Sequence, residues 1–120
     1  MGRRRSAVEQ KISSYEAFWP FYVSQHLDPR NRRLHFLGLT LAIAALVAGV
    51  FSSPTWLLAV PVSGYGFAWI GHFFAEKNRP ATFTYPLWSL RGDLRMYGLM
   101  WRGRMGPEIA RANELFPARA

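Results

Sequence analysis

From Leu34 to Ala75 the chain runs for 42 residues without a formal charge, while all 22 of its Asp, Glu, Lys and Arg residues lie before or after that stretch. A helix that crosses a membrane needs about 20 mostly apolar residues to span a hydrocarbon core of about 30 Å. The uncharged stretch is therefore long enough for two crossings. Its middle is interrupted at Ser52-Ser53-Pro54-Thr55, where Pro54 cannot continue a helix but suits the first turn of the next one. The pattern predicts transmembrane helices over about residues 34–51 and 55–75, joined by a tight turn. A soluble core hairpin is the alternative, but it would have to bury both helices on every face, and the short flanking segments offer too little material for that.

The flanks alternate polar and apolar residues at helical spacing. Ser13 and Glu16 form a capping-box signature, which starts an interfacial helix over about residues 13–26. Tyr15, Phe18, Trp19, Tyr22 and His26 fall on one side of it, and Pro20 is expected to kink or divide it. An aromatic stripe of this kind next to a bilayer belongs among the headgroups. Asp28-Pro29 reads as an N-cap acid followed by a first-turn proline. Beyond the second crossing, Leu87, Leu90, Leu94, Tyr97, Trp101 and Met105 share one helical face, and Arg91, Arg95 and Arg102 another. This predicts an amphipathic helix over about residues 87–105, apolar face toward the membrane, although Gly92 and Gly98 weaken it. The fold class expected is all-α: an integral membrane helical hairpin with amphipathic interfacial helices on the cytoplasmic side. The chain divides into a basic tail (1–12), a single membrane domain (13–105) and a short polar C-terminal helix or tail (106–120).

Charge sets the orientation. Fifteen Lys and Arg against seven Asp and Glu give a net charge of +8. Seven of the basic residues precede the hairpin, eight follow it, and its turn has none. Basic loops stay on the cytoplasmic side, so both termini are expected there, at a bacterial inner membrane or, in a eukaryote, the endoplasmic reticulum. The basic, aromatic flanks then face anionic lipid, and no nucleic-acid partner is expected. Arg3-Arg4-Arg5-Ser6 resembles a secretory n-region, but the apolar run begins nearly thirty residues later, so no cleaved signal is expected. The loose myristoylation match at Gly2 is read as chance. There is no cysteine, which excludes disulfides, thiolate metal sites and cysteine nucleophiles.

Chemistry must then come from nitrogen and oxygen ligands. The three histidines are His26, His35 and His72. His35 lies 18 residues before Ser53 and His72 lies 18 residues after Pro54, which puts both about 27 Å from the turn at the rise of an α-helix. On the first helix, Asn31, His35, Gly38, Ala42, Ala45 and Gly49 share a face, as do Gly64, Ala68, His72 and Glu76 on the second. Small residues at such spacings allow transmembrane helices to pack closely. If these faces meet, His35, His72 and Glu76 converge with Asn31 behind them, and His26 folds over the same point. Two histidines and a carboxylate with open positions suit a non-haem Fe(II) oxygenase, and zinc accepts the same donors. The plain alternative is that these histidines are interfacial residues bonded to backbone or headgroups. Ionisable groups at membrane depth are costly and tend to be functional.

Three blocks carry a family resemblance: Phe21-Tyr22-Val23-Ser24-Gln25-His26; Asn31-Arg32-Arg33-Leu34-His35-Phe36-Leu37-Gly38; and Gly71-His72-Phe73-Phe74-Ala75-Glu76-Lys77-Asn78-Arg79-Pro80-Ala81. In this order they resemble a membrane family of 2-hydroxy-fatty-acid dioxygenases, once known only as a domain of unknown function. Its fungal member shortens 2-hydroxy fatty acids during phytosphingosine breakdown. The resemblance spans about residues 13–105. It implies Fe(II) held by His26, His35 and His72, and O₂-dependent removal of one carbon from a 2-hydroxy acyl chain without 2-oxoglutarate. This chain is shorter than the fungal enzyme and has one convincing hydrophobic hairpin.

The resulting expectation is an Fe(II)-dependent dioxygenase that takes a lipid or fatty-acid substrate from the bilayer together with O₂. His26, His35 and His72 are the expected metal ligands. Glu76 is expected as a fourth ligand or as an orienting group, and Asn31 as a bonding partner of ligand or substrate. Arg32, Arg33, Asn78 and Arg79 are expected at the substrate, because arginine suits a carboxylate. The rivals are a non-enzymatic membrane adaptor that binds anionic lipid or a partner protein, and a zinc-dependent lipid hydrolase. The small-residue faces could serve a homodimer as readily as the hairpin.

Overall fold

A computed structural model describes residues 11–117; the expected basic tail at 1–12 therefore lies almost wholly outside the described residues, as do the last three residues of the chain. Every regular element among the described residues is helical. In chain order they are α1 (Tyr15–Ser24), α2 (Pro29–Phe51), a 3-10 turn (Pro54–Leu58) leading into α3 (Ala59–Ile70), a π-helical turn (Gly71–Glu76), a short 3-10 turn (Ala81–Phe83), α4 (Pro86–Trp101) and α5 (Met105–Leu115).

Helix α2 starts earlier than the uncharged run because the local capping chemistry is complete there. Asp28 Oδ1 accepts from the Arg30 N–H at 2.8 Å, and Pro29 takes the first position. The return crossing runs continuously from Pro54 to Glu76, and both segments are 23 residues long and apolar enough to cross a membrane. Only 22% and 17% of their apolar windows are buried, whereas the core helix of a soluble protein would be mostly covered. Leu37, Leu46, Val47, Val50, Phe51, Val62 and Phe74 are all exposed.

What α2 does bury is its small-residue face: Asn31, His35, Gly38, Ala42, Ala45 and Gly49. Two glycines there are required by close approach. A Cβ on Gly38 would lie 2.6 Å from the Ser63 carbonyl oxygen and 2.9 Å from Phe67 Cβ, and one on Gly49 would overlap the Leu57 side chain. With no hydrophobic effect between helices in lipid, contact of this kind is what holds such a hairpin together.

The aromatic stripe of α1 does not lie open to a headgroup layer; it forms the core of the molecule. Phe18, Trp19, Tyr22 and Val23 are buried beneath α4 and α5. Ser14, one residue later than expected, caps α1 by accepting from the Ala17 N–H at 3.2 Å. Pro20 sits inside the helix without dividing it. Arg91 lies 3.8 Å from the Tyr15 ring centroid and Arg95 lies 4.2 Å from that of Trp19, while Trp19 Nε1 donates to Glu108 Oε1 at 2.5 Å. These cations cover aromatic faces, which is why a basic face of α4 packs on α1.

Helix α4 stops at Trp101 rather than running to 105, since Gly103 takes φ +66° and turns the chain, a conformation that glycine adopts without strain. Helix α5 then folds back and buries Met105 and Ala112 against α1. Leu87, Leu90, Leu94 and Trp101 of α4 remain exposed, and its buried face is Ser89, Gly92 and Met96.

Candidate metal centre

Three segments deliver one imidazole each. His26 leaves the C-terminal end of α1, where its backbone N–H donates to the Val23 carbonyl at 2.9 Å. His35 stands on the second turn of α2, and His72 in the π-turn. All three are nearly inaccessible, at 1%, 9% and 2% exposure. Their ring centroids are 4.6, 4.5 and 5.0 Å apart, and every pair is edge-on, with interplanar angles of 72°, 82° and 88°.

Hydrogen bonds fix which nitrogen two of the rings offer. His26 Nδ1 lies 2.6 Å from the Tyr22 carbonyl oxygen. That oxygen can only accept, so Nδ1–H donates and Nε2 keeps its lone pair. Asn78 Nδ2 donates to the carbonyl oxygen and Oε1 of Gln25, both at 3.1 Å. The amide orientation thus makes Asn78 Oδ1 an acceptor for His72 Nδ1–H at 2.7 Å. Nε2 of both His26 and His35 is buried without a partner. Burial, with His35 and His72 alongside, holds His26 well below the usual imidazole pKa.

The three rings can place one nitrogen each within 4.8 Å of the others. Metal–nitrogen bonds of about 2.0–2.1 Å need ligand nitrogens about 3–4 Å apart, within reach of small ring rotations. Unpartnered, inward-facing lone pairs on neutral imidazoles are what a metal ion requires. The residues present therefore fit a metal, and this is the one such cluster of three among the described residues.

Glu76 is directed elsewhere. Its Oε1 accepts from the Asp28 N–H at 2.6 Å and from Asn31 Nδ2 at 3.2 Å, which ties the end of the second crossing to the start of the first. The physical reason lies in the π-turn: its wider repeat moves residues four apart off a common face. Asn31 is fully buried, with Oδ1 unpartnered, and a Cβ on Gly71 would overlap that oxygen. Asn78 follows Lys77, which adopts φ 57°, and the Asn78 N–H donates to the His72 carbonyl at 2.9 Å. The left-handed turn thus brings Asn78 back onto His72. Arg32 donates to the His26 and Leu27 carbonyls, each at 2.8 Å, and so holds the loop that carries His26. Arg79 lies 5.0 Å from the Phe83 ring centroid, and Arg33 is exposed. None of the three arginines lines the space beside the imidazoles.

The residue missed from sequence is Asp93 of α4. Its Oδ1 accepts from Tyr22 O–H at 2.5 Å and stands 3.7 Å from His35 Nδ1. Burial pushes its carboxyl up to about 7 despite the Tyr22 hydrogen bond, and burial with Asp93 alongside raises the Tyr22 phenol well above its ordinary value. A lone acid between Arg91 and Arg95 was the available signal, since nothing about a solvated basic face calls for it.

The family model for 2-hydroxy-palmitic acid dioxygenase Mpo1-like proteins matches residues 12–105, most of the chain and all three histidines. The chain belongs to the Mpo1-like family. No curated protein and no solved structure matches it. The Mpo1-like segment ends where α5 begins, so α5, which closes over α1, lies outside the match.

Proposed function

We propose that this Mpo1-like chain is an Fe(II)-dependent membrane dioxygenase that shortens 2-hydroxy fatty acids by one carbon. The observation that carries the proposal is the buried triad of edge-on imidazoles, which offer one nitrogen each within 4.8 Å of the others and two of which have an unpartnered Nε2, inside a chain matched to a family named for a 2-hydroxy-palmitic acid dioxygenase. His26, His35 and His72 would hold the iron, which when bound supplies oxygen activation and open positions for the substrate's oxygens. A 2-hydroxy acid and O₂ balance to the acid one carbon shorter, CO₂ and water. The substrate supplies all the electrons in that balance.

The protein's own contribution is placement. Tyr22 and Asn78 hold two of the rings in the tautomer that leaves Nε2 free. Glu76, Asn31 and Arg32 act one step further out, clamping the loop between α1 and α2 to the end of the second crossing. Asp93 and Tyr22 set a shared proton beside His35. The hairpin sits in the bilayer with both termini cytoplasmic, so a lipid-soluble acid reaches the site laterally.

Anaerobic reconstitution of the detergent-purified protein with Fe(II), followed by O₂ and a 2-hydroxy fatty acid, tests this reading. The expected product is the acid one carbon shorter, formed in step with O₂ uptake and lost in His72→Ala. Stoichiometric metal with no oxygen-dependent shortening refutes the dioxygenase, and absence of any bound metal favours an adaptor.

A further inference from the structure

A cavity of about 220 Å³ lies between α2, α3 and α4. Leu39 and Ala42 of α2, Val60 and Gly64 of α3, and Met96 and Met100 of α4 form its walls. His35, Tyr65 and Asp93 line this cavity and also a pocket of about 10 Å³ beside the imidazoles. The small pocket has room for about one water-sized occupant. The two spaces therefore share a wall, polar on the side of the histidines and apolar on the other.

Resting on the reading of the histidine cluster as a fatty-acid oxygenase centre, we propose that this cavity is its acyl-chain site and that Gly64 keeps it open. The occupant is the unbranched hydrocarbon segment next to the carboxyl end of the substrate. The polar head lies toward His35 and Asp93, and the remaining tail passes out between the helices into lipid.

Three observations support this assignment. The first is size: an apolar cavity of about 150 Å³ takes up benzene with its six carbons, so 220 Å³ holds about eight or nine chain carbons. Packed proteins rarely leave such space without a use for it. The second is Gly64 itself. A Cβ at Gly38 or Gly49 would collide with the facing helix, but one at Gly64 would meet only Ala42 Cβ, at 3.9 Å. Helix packing does not require glycine at 64, whereas the open volume does. The third is Ser89, whose Oγ is buried without a partner and lines the small pocket. It offers a hydrogen bond to the polar end of a bound acid.

The test uses the metal-free full chain in lipid nanodiscs and 2-hydroxy-palmitic acid carrying a photoreactive diazirine either at mid-chain or at the chain end. The mid-chain probe is expected to label Leu39, Met96 or Met100, and the chain-end probe to label lipid-facing residues such as Val50. Each methylene excluded from an apolar site lowers affinity by about a factor of four, so Gly64→Leu, displacing about three, should reduce mid-chain labelling by about sixtyfold. Gly64→Ala, displacing about one, should reduce it by about fourfold, and Met100→Trp, which fills the space from α4, should act like Gly64→Leu if the latter does not fold. Metal stoichiometry should be unchanged in all three variants. Mid-chain labelling confined to the outer surface of the hairpin, or labelling indifferent to both filling substitutions, overturns the proposal. If labelling maps to the cavity and is blocked by filling it, but no 2-hydroxy acid is ever shortened, the acyl-chain site stands and the dioxygenase reading falls.

Discussion

Asn78 offers the sharpest test of how the site is built, since its side chain touches a candidate ligand but is not one. Asn78→Ala removes the 2.7 Å acceptor of His72 Nδ1–H and the two 3.1 Å bonds to Gln25. Gln25 is only partly buried, so water replaces what it loses. His72 is 2% exposed, and its stranded N–H costs about 1–3 kcal/mol. The ring is then free to turn and present the wrong nitrogen. Loss of such an orienting partner lowers metal affinity by about 10- to 100-fold, or about 1.4–2.7 kcal/mol. The assay is Co(II) titration of the detergent-purified protein against a competing chelator, read by visible absorption, with Gln25→Ala as the control that keeps the His72 contact. Gln25→Ala should bind Co(II) within about threefold of the parent protein. Equal affinity in Asn78→Ala and the parent, or an equal loss in both variants, would refute the claim that Asn78 sets the His72 tautomer.

Other substitutions probe the remaining links. His26→Ala and His35→Ala should each abolish stoichiometric metal binding while far-ultraviolet dichroism keeps its helical signal; retained stoichiometry in either would break the triad. Gly38→Ala forces a Cβ to 2.6 Å from the Ser63 carbonyl oxygen and should destabilise the hairpin by about 1–3 kcal/mol, whereas Gly66→Ala meets nothing within 4 Å and should be neutral, as compared by thermal melts in detergent. The metal-free protein carries two opposing pH dependences. Burial keeps His26 neutral in the fold while the unfolded chain takes up its proton near about 6.5, so His26 destabilises the fold as pH falls. Asp93, pushed up to about 7 in the fold, works the other way, because the folded state takes up its proton first. His26→Gln removes only the first contribution, so its melting temperature relative to that of the parent should rise as the pH is lowered from about 7 to about 5.

How much of this was legible in the chain varies with the range of the interaction. The hairpin was, because a long uncharged run broken at Pro54 depends only on composition and one breaker. The face that α2 buries was legible too: Asn31, His35, Gly38, Ala42, Ala45 and Gly49 repeat at the α-helical period, and α2 keeps that period throughout. Reasoning by the same period placed Glu76 beside His72, but the chain there is a π-turn, and Glu76 bonds to Asp28 and Asn31 instead. The aromatic stripe of α1 was visible, though not its cover, because α4 and α5 come from the other end of the chain.

The sequence by itself therefore determined the helical hairpin, the small-residue face of α2 and the matching level of His35 and His72, all of which follow from local periodicity and hydropathy; His26 joins them through the packing of α1. Only the tertiary structure decided that Asn78 holds His72, that Asp93 stands beside His35 and accepts from the Tyr22 hydroxyl, and that an apolar cavity opens beside them. Those are meetings of side chains far apart in the chain, and a polar atom's partner is chosen by which segments pack together.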